Sequence, residues 1–260
     1  MEVSTAPAPQ PAPASAPMPE VSLVLPAFNE AGNLEEAVAQ AVPPLESITR
    51  AWEIVVVNDA STDGTGALAD RLAAAHPGRV RPIHHETNKG LGGAIRSGFA
   101  AARGRVVIYT DADLPFDMRA LADAYRHFEA SGADVLAGYR EGRDDGLRRR
   151  LYSSVYNGLI RLALGIPVRD VNFALKMVRR DVLQRLALES DGSFIDAELL
   201  ARARRAGFRF TEYGVRYTPR TRGTSTLSRP SVILRILADL VRFRMRTFRL
   251  RPGRRVEPRP

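Results

Sequence analysis

Asp111-Ala112-Asp113 directly follows the apolar run Val106-Val107-Ile108-Tyr109-Thr110, so two carboxylates leave the end of a predicted strand together. Such a pair can hold a hard divalent cation through oxygen, and a nucleotide diphosphate would share that cation. The cation would then neutralise charge developing on a departing diphosphate. Aspartate after a strand also caps helices, so the pair taken alone leaves both readings open. Asp59, in Asn58-Asp59-Ala60-Ser61-Thr62-Asp63-Gly64-Thr65, follows a second apolar run and could accept hydrogen bonds from a base or a ribose hydroxyl. Ser61, Thr62 and Asp63 could equally be capping residues.

These residues need elements to position them. Short apolar runs at 21–25, 53–58, 80–84, 105–110 and 134–138 read as strands, and the segments 33–41, 64–75, 93–103 and 118–131 carry apolar residues at helical spacing. Strand and helix in alternation predict an α/β fold with a mostly parallel sheet. In open sheets of that kind ligands bind beyond the carboxyl ends of the strands. Those ends read Pro26-Ala27-Phe28-Asn29-Glu30, Asn58-Asp59, Asn88-Lys89-Gly90-Leu91-Gly92 and Asp111-Ala112-Asp113, so four polar loops are expected on one edge. The first loop has no glycine before Gly32, which argues against a dinucleotide-binding oxidoreductase. The glycines after Lys89 suit close backbone packing or approach of a phosphate. Further on, helices are expected at 152–164 and 195–206, with strands near 172–178 and 209–217.

Composition narrows the chemistry. The 260 residues contain no cysteine, which excludes disulfides and thiolate catalysis and leaves any metal to oxygen or imidazole. The formal net charge of +9 is concentrated late in the chain, where residues 231–260 hold nine arginines against Asp239 and Glu257. Residues 1–20 alternate proline and alanine and are expected to form a disordered leader rather than a secretory signal. No apolar run is long enough to span a bilayer. The organisation expected is a leader at 1–20, one catalytic domain at 21–228 and a basic amphipathic tail at 229–260.

The four loop motifs, in this order and spacing, resemble the family 2 glycosyltransferases, in particular the branch that makes polyprenyl-phosphate sugars such as dolichyl-phosphate mannose or glucose; the resemblance runs over about residues 21–227. It implies a GT-A fold, a UDP- or GDP-linked hexose as donor, a divalent metal (Mg2+ or Mn2+) on Asp111 and Asp113, and inversion at the anomeric carbon. On the donor side it implies Pro26, Ala27 and Glu30 around the base, Asp59 on the nucleoside and Asp111 on the diphosphate, with Asn29, Lys89, Gly90 and Arg140 as further donor-binding residues. On the acceptor side it implies Arg149 and Ser153 as the pair receiving the acceptor phosphate, together with Arg169, Asp170 and Arg222. Asp196 is a candidate base or supporting carboxylate, with Glu198 beside it, and Arg220 lies in a segment similar to a loop that closes over the diphosphate. The sequence departs from the family pattern at Pro115, where many relatives carry a metal-contacting glutamine, at Ala174 for a usual glycine and at Thr226 for a usual lysine.

A phosphate acceptor is already anionic at neutral pH, so it needs arginines to position it more than a base to activate it. The arginine supply therefore favours a polyprenyl phosphate over a sugar hydroxyl. Ile233, Ile236, Leu237, Leu240, Val241 and Phe248 fall on one helical face, with Arg235, Arg242, Arg246 and Arg249 on another. That pattern predicts an interfacial helix on the inner face of the cell membrane and a cytoplasmic, peripheral protein. Three rivals stand beside this reading: transfer to a sugar hydroxyl in polysaccharide or glycolipid synthesis, a noncatalytic scaffold, and a basic nucleic-acid-binding protein. Acidic strand-end loops argue against nucleic acid as a partner.

Overall fold

The computed structural model describes residues 18–142, 157–158, 160–217 and 238–245. The predicted leader, the arginine-rich segment with Arg149 and Ser153, the segment with Arg220 and Arg222, and most of the basic tail lie outside the described residues.

Seven strands form one sheet: β1 (Val21–Ala27), β2 (Trp52–Asn58), β3 (Val80–His84), β4 (Val106–Thr110), β5 (Val135–Glu141), β6 (Leu175–Arg179) and β7 (Phe210–Arg216). Their order across the sheet is β3-β2-β1-β4-β6-β5-β7. The run β3-β2-β1-β4 is parallel throughout, as the alternating pattern requires. β6 is antiparallel to both β4 and β5, while β5 pairs parallel with β7. The inverted strand brings its amino end to the carboxyl edge of its neighbours, with Leu175 opposite Thr110.

Alternation along the strands feeds two cores. Leu23, Leu25, Ile54, Val56, Val106 and Ile108 pack with residues of α1 (Leu34–Ile48), α2 (Thr65–Ala75) and α4 (Ala120–Ser131). Val24, Val55, Val57, Val107 and Tyr109 pack on the other face against α3 (Gly90–Ala101), α5 (Arg180–Arg185) and α6 (Ile195–Arg205). Helical residues 160–164 and 238–245 lie on this second face, where Leu240 and Phe243 are buried and the Phe243 ring meets Phe194 at 5.7 Å.

The elements differ from the sequence reading at three places, each with a physical reason. α1 does not stop at Ala41 but runs through Pro43 and Pro44 to Ile48, because Ala41, Pro44 and Leu45 continue its buried face. Burial there outweighs the backbone bonds that the two prolines forgo. α3 starts at Gly90, so the glycine-rich segment is the first turn of a helix rather than a loop. α5 is a six-residue helix that the periodicity of the sequence does not announce.

At the amino edge of the sheet, Glu53 is buried and accepts from Ser22 Oγ (2.7 Å), Arg103 N (2.7 Å) and Arg81 Nε (2.9 Å). Burial raises its carboxyl pKa, but these bonds outweigh burial and hold it below the ordinary value. These bonds tie the amino ends of β1 and β2 to the segment after α3.

Candidate active site

The loops after β1 and β2 are tied together by their own polar side chains. Asn29 N donates to Ser61 Oγ (3.0 Å), Thr62 N to Asn29 Oδ1 (2.9 Å), Glu30 N to Thr65 Oγ1 (2.8 Å) and Ala31 N to Asp63 Oδ2 (3.1 Å). Ser61, Thr62 and Asp63 therefore do not provide the N-cap of α2, which is Gly64 without a side-chain bond; they tie the two loops to each other instead. Pro26 and Ala27 are buried at the end of β1, Glu30 is partly buried and holds Asn33 Nδ2 at 2.7 Å, and Phe28 and Asn29 are exposed. Asn29, Ala60 and Leu114 adopt φ of 57°, 58° and 56°, the non-glycine residues in the left-handed region among those described. All three lie on the site edge, after β1, β2 and β4, and alanine or leucine in that conformation costs about 1–2 kcal/mol.

Asp59 is buried at the end of β2. Its Oδ1 accepts from His85 Nδ1 (2.6 Å) and Lys89 N (2.8 Å), and its carbonyl accepts from Asn88 Nδ2 (3.2 Å). Lys89 contributes this backbone group while its side chain is exposed. Gly90, at φ 75°, opens α3, and Gly92 N donates to the Asp191 carbonyl at 2.8 Å. A Cβ on Gly90 would meet Asp191 O at 2.5 Å and one on Gly92 would meet Ser190 O at 2.1 Å, so close backbone packing accounts for these glycines. The 189–191 segment is itself held by Glu198, whose oxygens accept from Ser190 N (2.7 Å), Glu189 N (3.1 Å) and Arg202 Nε (2.7 Å). Glu198 is therefore a structural clamp.

Asp111 and Asp113 follow β4, both partly buried. Tyr109 Oη donates to Asp111 Oδ1 at 3.2 Å. Burial, followed by the nearby charges of Asp111, Asp196 and Asp113, pushes the Tyr109 hydroxyl well above its usual pKa and keeps it a donor. Lys176 is opposite Tyr109 in the β4–β6 register and fully buried. Its ammonium donates to the Phe173 carbonyl and lies 3.4 Å from Asp196 Oδ1 in the first turn of α6. Burial raises the Asp196 carboxyl pKa and the Asp170 charge adds to that; Lys176 opposes both without cancelling them.

Asp170 joins this acidic group to a cationic one. Arg140 Nε and Nη2 donate to Asp170 at 2.8 and 3.3 Å, and the guanidinium stacks 5.7 Å from Phe173 and 5.5 Å from Tyr217. The two residues that the resemblance placed on opposite sides, donor and acceptor, are thus directly bonded. Around them lies a cavity of about 290 Å3, lined by Tyr139, Arg140, Asn157, Arg161, Arg169 and Asp170. Arg169 stacks on Tyr139 at 4.5 Å, its N–H donating to Glu212 at 2.6 Å. Arg161 was not anticipated; only its position on the face of helix 157–164 that meets the cavity brings it there. His85 was also missed, although a histidine directly after a strand is a signal that could have been weighed.

Asp111 and Asp113 fit a hard cation. Both donors are carboxylate oxygens, and no group of three or more His, Asp or Glu that could hold a metal converges among the described residues. A cation held by two side chains keeps positions for diphosphate oxygens or water. Pro115, where relatives have an amide, is buried and offers no ligand atom.

Known proteins resemble this chain over most of its length. The glycosyl transferase family 2 model covers residues 22–187. The glycosyltransferase AglD of Haloferax volcanii is 39% identical over 209 residues, which is 77% of this chain but only 33% of that protein. The chain thus spans about a third of the length of that relative. The polyprenol monophosphomannose synthase of Mycolicibacterium smegmatis is 33% identical over 226 residues, 82% of each chain. Among solved structures, glucosyl-3-phosphoglycerate synthase of Mycobacterium tuberculosis in complex with Mn2+, UDP and phosphoglyceric acid superposes with a TM-score of 0.64 at 21% identity, over 86% of this chain and 79% of that one. The expected α/β architecture is thereby shared with solved enzymes, and by its matched residues and its relatives the chain belongs to glycosyl transferase family 2.

Proposed function

We propose that this protein transfers a hexose, with inversion, from a UDP- or GDP-linked donor to a polyprenyl phosphate at a membrane surface. The observation that carries the acceptor assignment is the cavity beside the acidic cluster, where among the described residues Arg140, Arg161 and Arg169 stand against Asp170 in the lining and Glu212 beside Arg169. A basic cavity of that size suits a phosphate headgroup, and guanidinium forks bind phosphate oxygens in fixed geometry. The polyprenol monophosphomannose synthase, matched over 82% of its own length, supports the same class of acceptor.

In this reading Asp59 receives the nucleoside and Asp111 with Asp113 would hold Mg2+ or Mn2+, which would supply charge neutralisation for the leaving diphosphate. A lone pair on the acceptor phosphate oxygen forms the new bond to the anomeric carbon. The bond from that carbon to the diphosphate oxygen breaks, and its electron pair leaves with the nucleoside diphosphate. No proton need be removed from the acceptor. Arg140, fixed by Asp170, orients the incoming anion. Arg149, Ser153, Arg220 and Arg222 would complete the acceptor and diphosphate contacts from outside the described residues. Asp196 is 5% exposed and paired with Lys176, which suits a supporting role better than that of a base for a sugar hydroxyl.

Membrane contact is part of the proposal. Among the described residues no helix is long and apolar enough to cross a membrane. Leu240, expected on the lipid face, is buried in the core with Phe243, whereas Val241 and Met245 are 55% and 57% exposed and Leu162 is 87% exposed. The two helical segments touch, since the Arg244 guanidinium donates to the Ala163 carbonyl. Three exposed apolar side chains beside Arg161, Arg242 and Arg244 favour an anionic lipid surface on the cytoplasmic side. Replacing Leu162 and Met245 together by serine is expected to lower co-sedimentation with phosphatidylglycerol vesicles about tenfold while donor binding persists. Unchanged co-sedimentation of the double variant would remove this surface from the account.

The acceptor is tested by competition. Given one donor, a short-chain polyprenyl phosphate should become glycosylated while the corresponding polyprenol and free hexoses do not. Preference for a hydroxyl acceptor would replace the proposal by its nearest rival.

A further inference from the structure

Asp59 has one carboxylate oxygen saturated and one not. Oδ1 receives both His85 Nδ1 and Lys89 N, at 2.6 and 2.8 Å, while Oδ2 has no hydrogen-bond partner among the described residues. The residue is 2% exposed, and the oxygen left open there is available to accept a ligand's N–H or O–H. The backbone of Asp59 is fixed as well, through its N–H to the Ala27 carbonyl at 2.9 Å and its carbonyl to Asn88.

His85 continues this arrangement into the helix behind it. Its backbone N–H donates to the Asn58 carbonyl at 2.9 Å, so the residue is anchored to the end of β2. The ring is buried, and its Nε2 lies 2.8 Å from Ser97 Oγ on α3. A carboxylate only accepts, so Nδ1 carries the proton shared with Asp59; in the neutral ring Nε2 is then an acceptor, which the Ser97 hydroxyl satisfies as donor. The order of Asp59, His85 and Ser97 is that of a charge-relay triad. Ser97, however, lies inside a helix whose backbone N–H groups are already bonded, so no pair of donors is present to hold an oxyanion. The geometry therefore serves positioning.

We propose that His85, fixed by Ser97, is the positioning residue that locks the Asp59 carboxylate with Oδ2 turned to the nucleoside of the sugar donor. This rests on the donor reading above and extends it to two residues outside the motifs. The carboxylate gains its orientation from a side chain whose own rotation is blocked at both ring nitrogens, so that nucleoside binding does not have to order it.

The test is nucleotide binding by calorimetry, with UDP and GDP as probes, to the full chain and to three variants. His85→Phe puts a somewhat larger apolar ring in place of the imidazole and removes both side-chain hydrogen bonds; it should weaken the preferred nucleotide at least about tenfold, the scale of a lost hydrogen bond to a charged group. In turnover the loss should fall on the donor KM, with kcat at saturating donor changing about twofold or less. His85→Asn places an amide N–H near the former Nδ1 and should recover most of the affinity. Ser97→Ala should lie between wild type and His85→Phe, which keeps the test open if the phenylalanine variant folds poorly. Wild-type affinity in His85→Phe, or in Ser97→Ala together with no rescue by asparagine, would overturn the positioning role alone. Failure of the wild type to bind either nucleotide would overturn the donor reading and this proposal with it.

Discussion

Asp113→Ala is expected to lower turnover at least about a hundredfold, the scale seen when preorganised stabilisation of transition-state charge is lost. The two side chains of Asp111 and Asp113 are the carboxylates that leave β4 at the site edge, and among the described residues no third acidic or imidazole group completes a metal-holding set with them. Removing one halves the donor set, so Mn2+ affinity measured in the presence of nucleotide should fall in parallel. Asp117→Ala is the control: that carboxylate is about half exposed and its partner Arg119 is a surface side chain, so turnover should stay within about twofold. Near-normal turnover in Asp113→Ala, with the protein folded, would remove the metal assignment.

Lys176→Met should cost about 3–5 kcal/mol of stability, because it leaves the Asp196 carboxylate buried without the cation 3.4 Å away. Asp196 already titrates above the ordinary carboxylate range because of burial, and Lys176 is what restrains the shift. A carboxyl whose folded pKa exceeds its unfolded value contributes stability at low pH that is lost as pH rises through the folded pKa. The deficit of Lys176→Met should therefore widen as pH rises above the ordinary carboxylate range and shrink in acid. Adding Asp196→Leu should recover most of it, since exchanging both members of a buried pair is far milder than exchanging one. Denaturant titrations across pH give the result; a single variant within about 1 kcal/mol of wild type at neutral pH would show that the pair is not a stabilising unit.

The parallel half of the molecule was legible because β-branched runs such as Ile54-Val55-Val56-Val57 can do little but fill a sheet covered on both faces, which places the polar residues directly after them at the sheet edge. Asp59, Asp111 and Asp113 were singled out in that way. The direction of β6 was not legible, since Leu175-Lys176-Met177-Val178 pairs equally well in either sense and only the three-dimensional crossover inverts it. Lys176 looked like one of two lysines in an arginine-rich chain; its meaning depends on a cross-strand position opposite Tyr109. Glu198 and Asp196 stand two residues apart on α6, yet one clamps the 189–191 backbone and the other pairs with Lys176, a difference that helix periodicity does not encode. Arg161 and Arg169 reach the same cavity from a helix and a loop, and no spacing in the sequence announces that meeting.

The central claim is transfer to a lipid phosphate, and the most direct measurement offers the full chain a panel of UDP- and GDP-hexoses with a short-chain polyprenyl phosphate, with Mg2+, with Mn2+ and with neither. The account predicts a glycosylated lipid phosphate from one donor of the panel, formed only when a divalent ion is present. Binding of a nucleotide sugar without product on the lipid phosphate, under any ion, would contradict it.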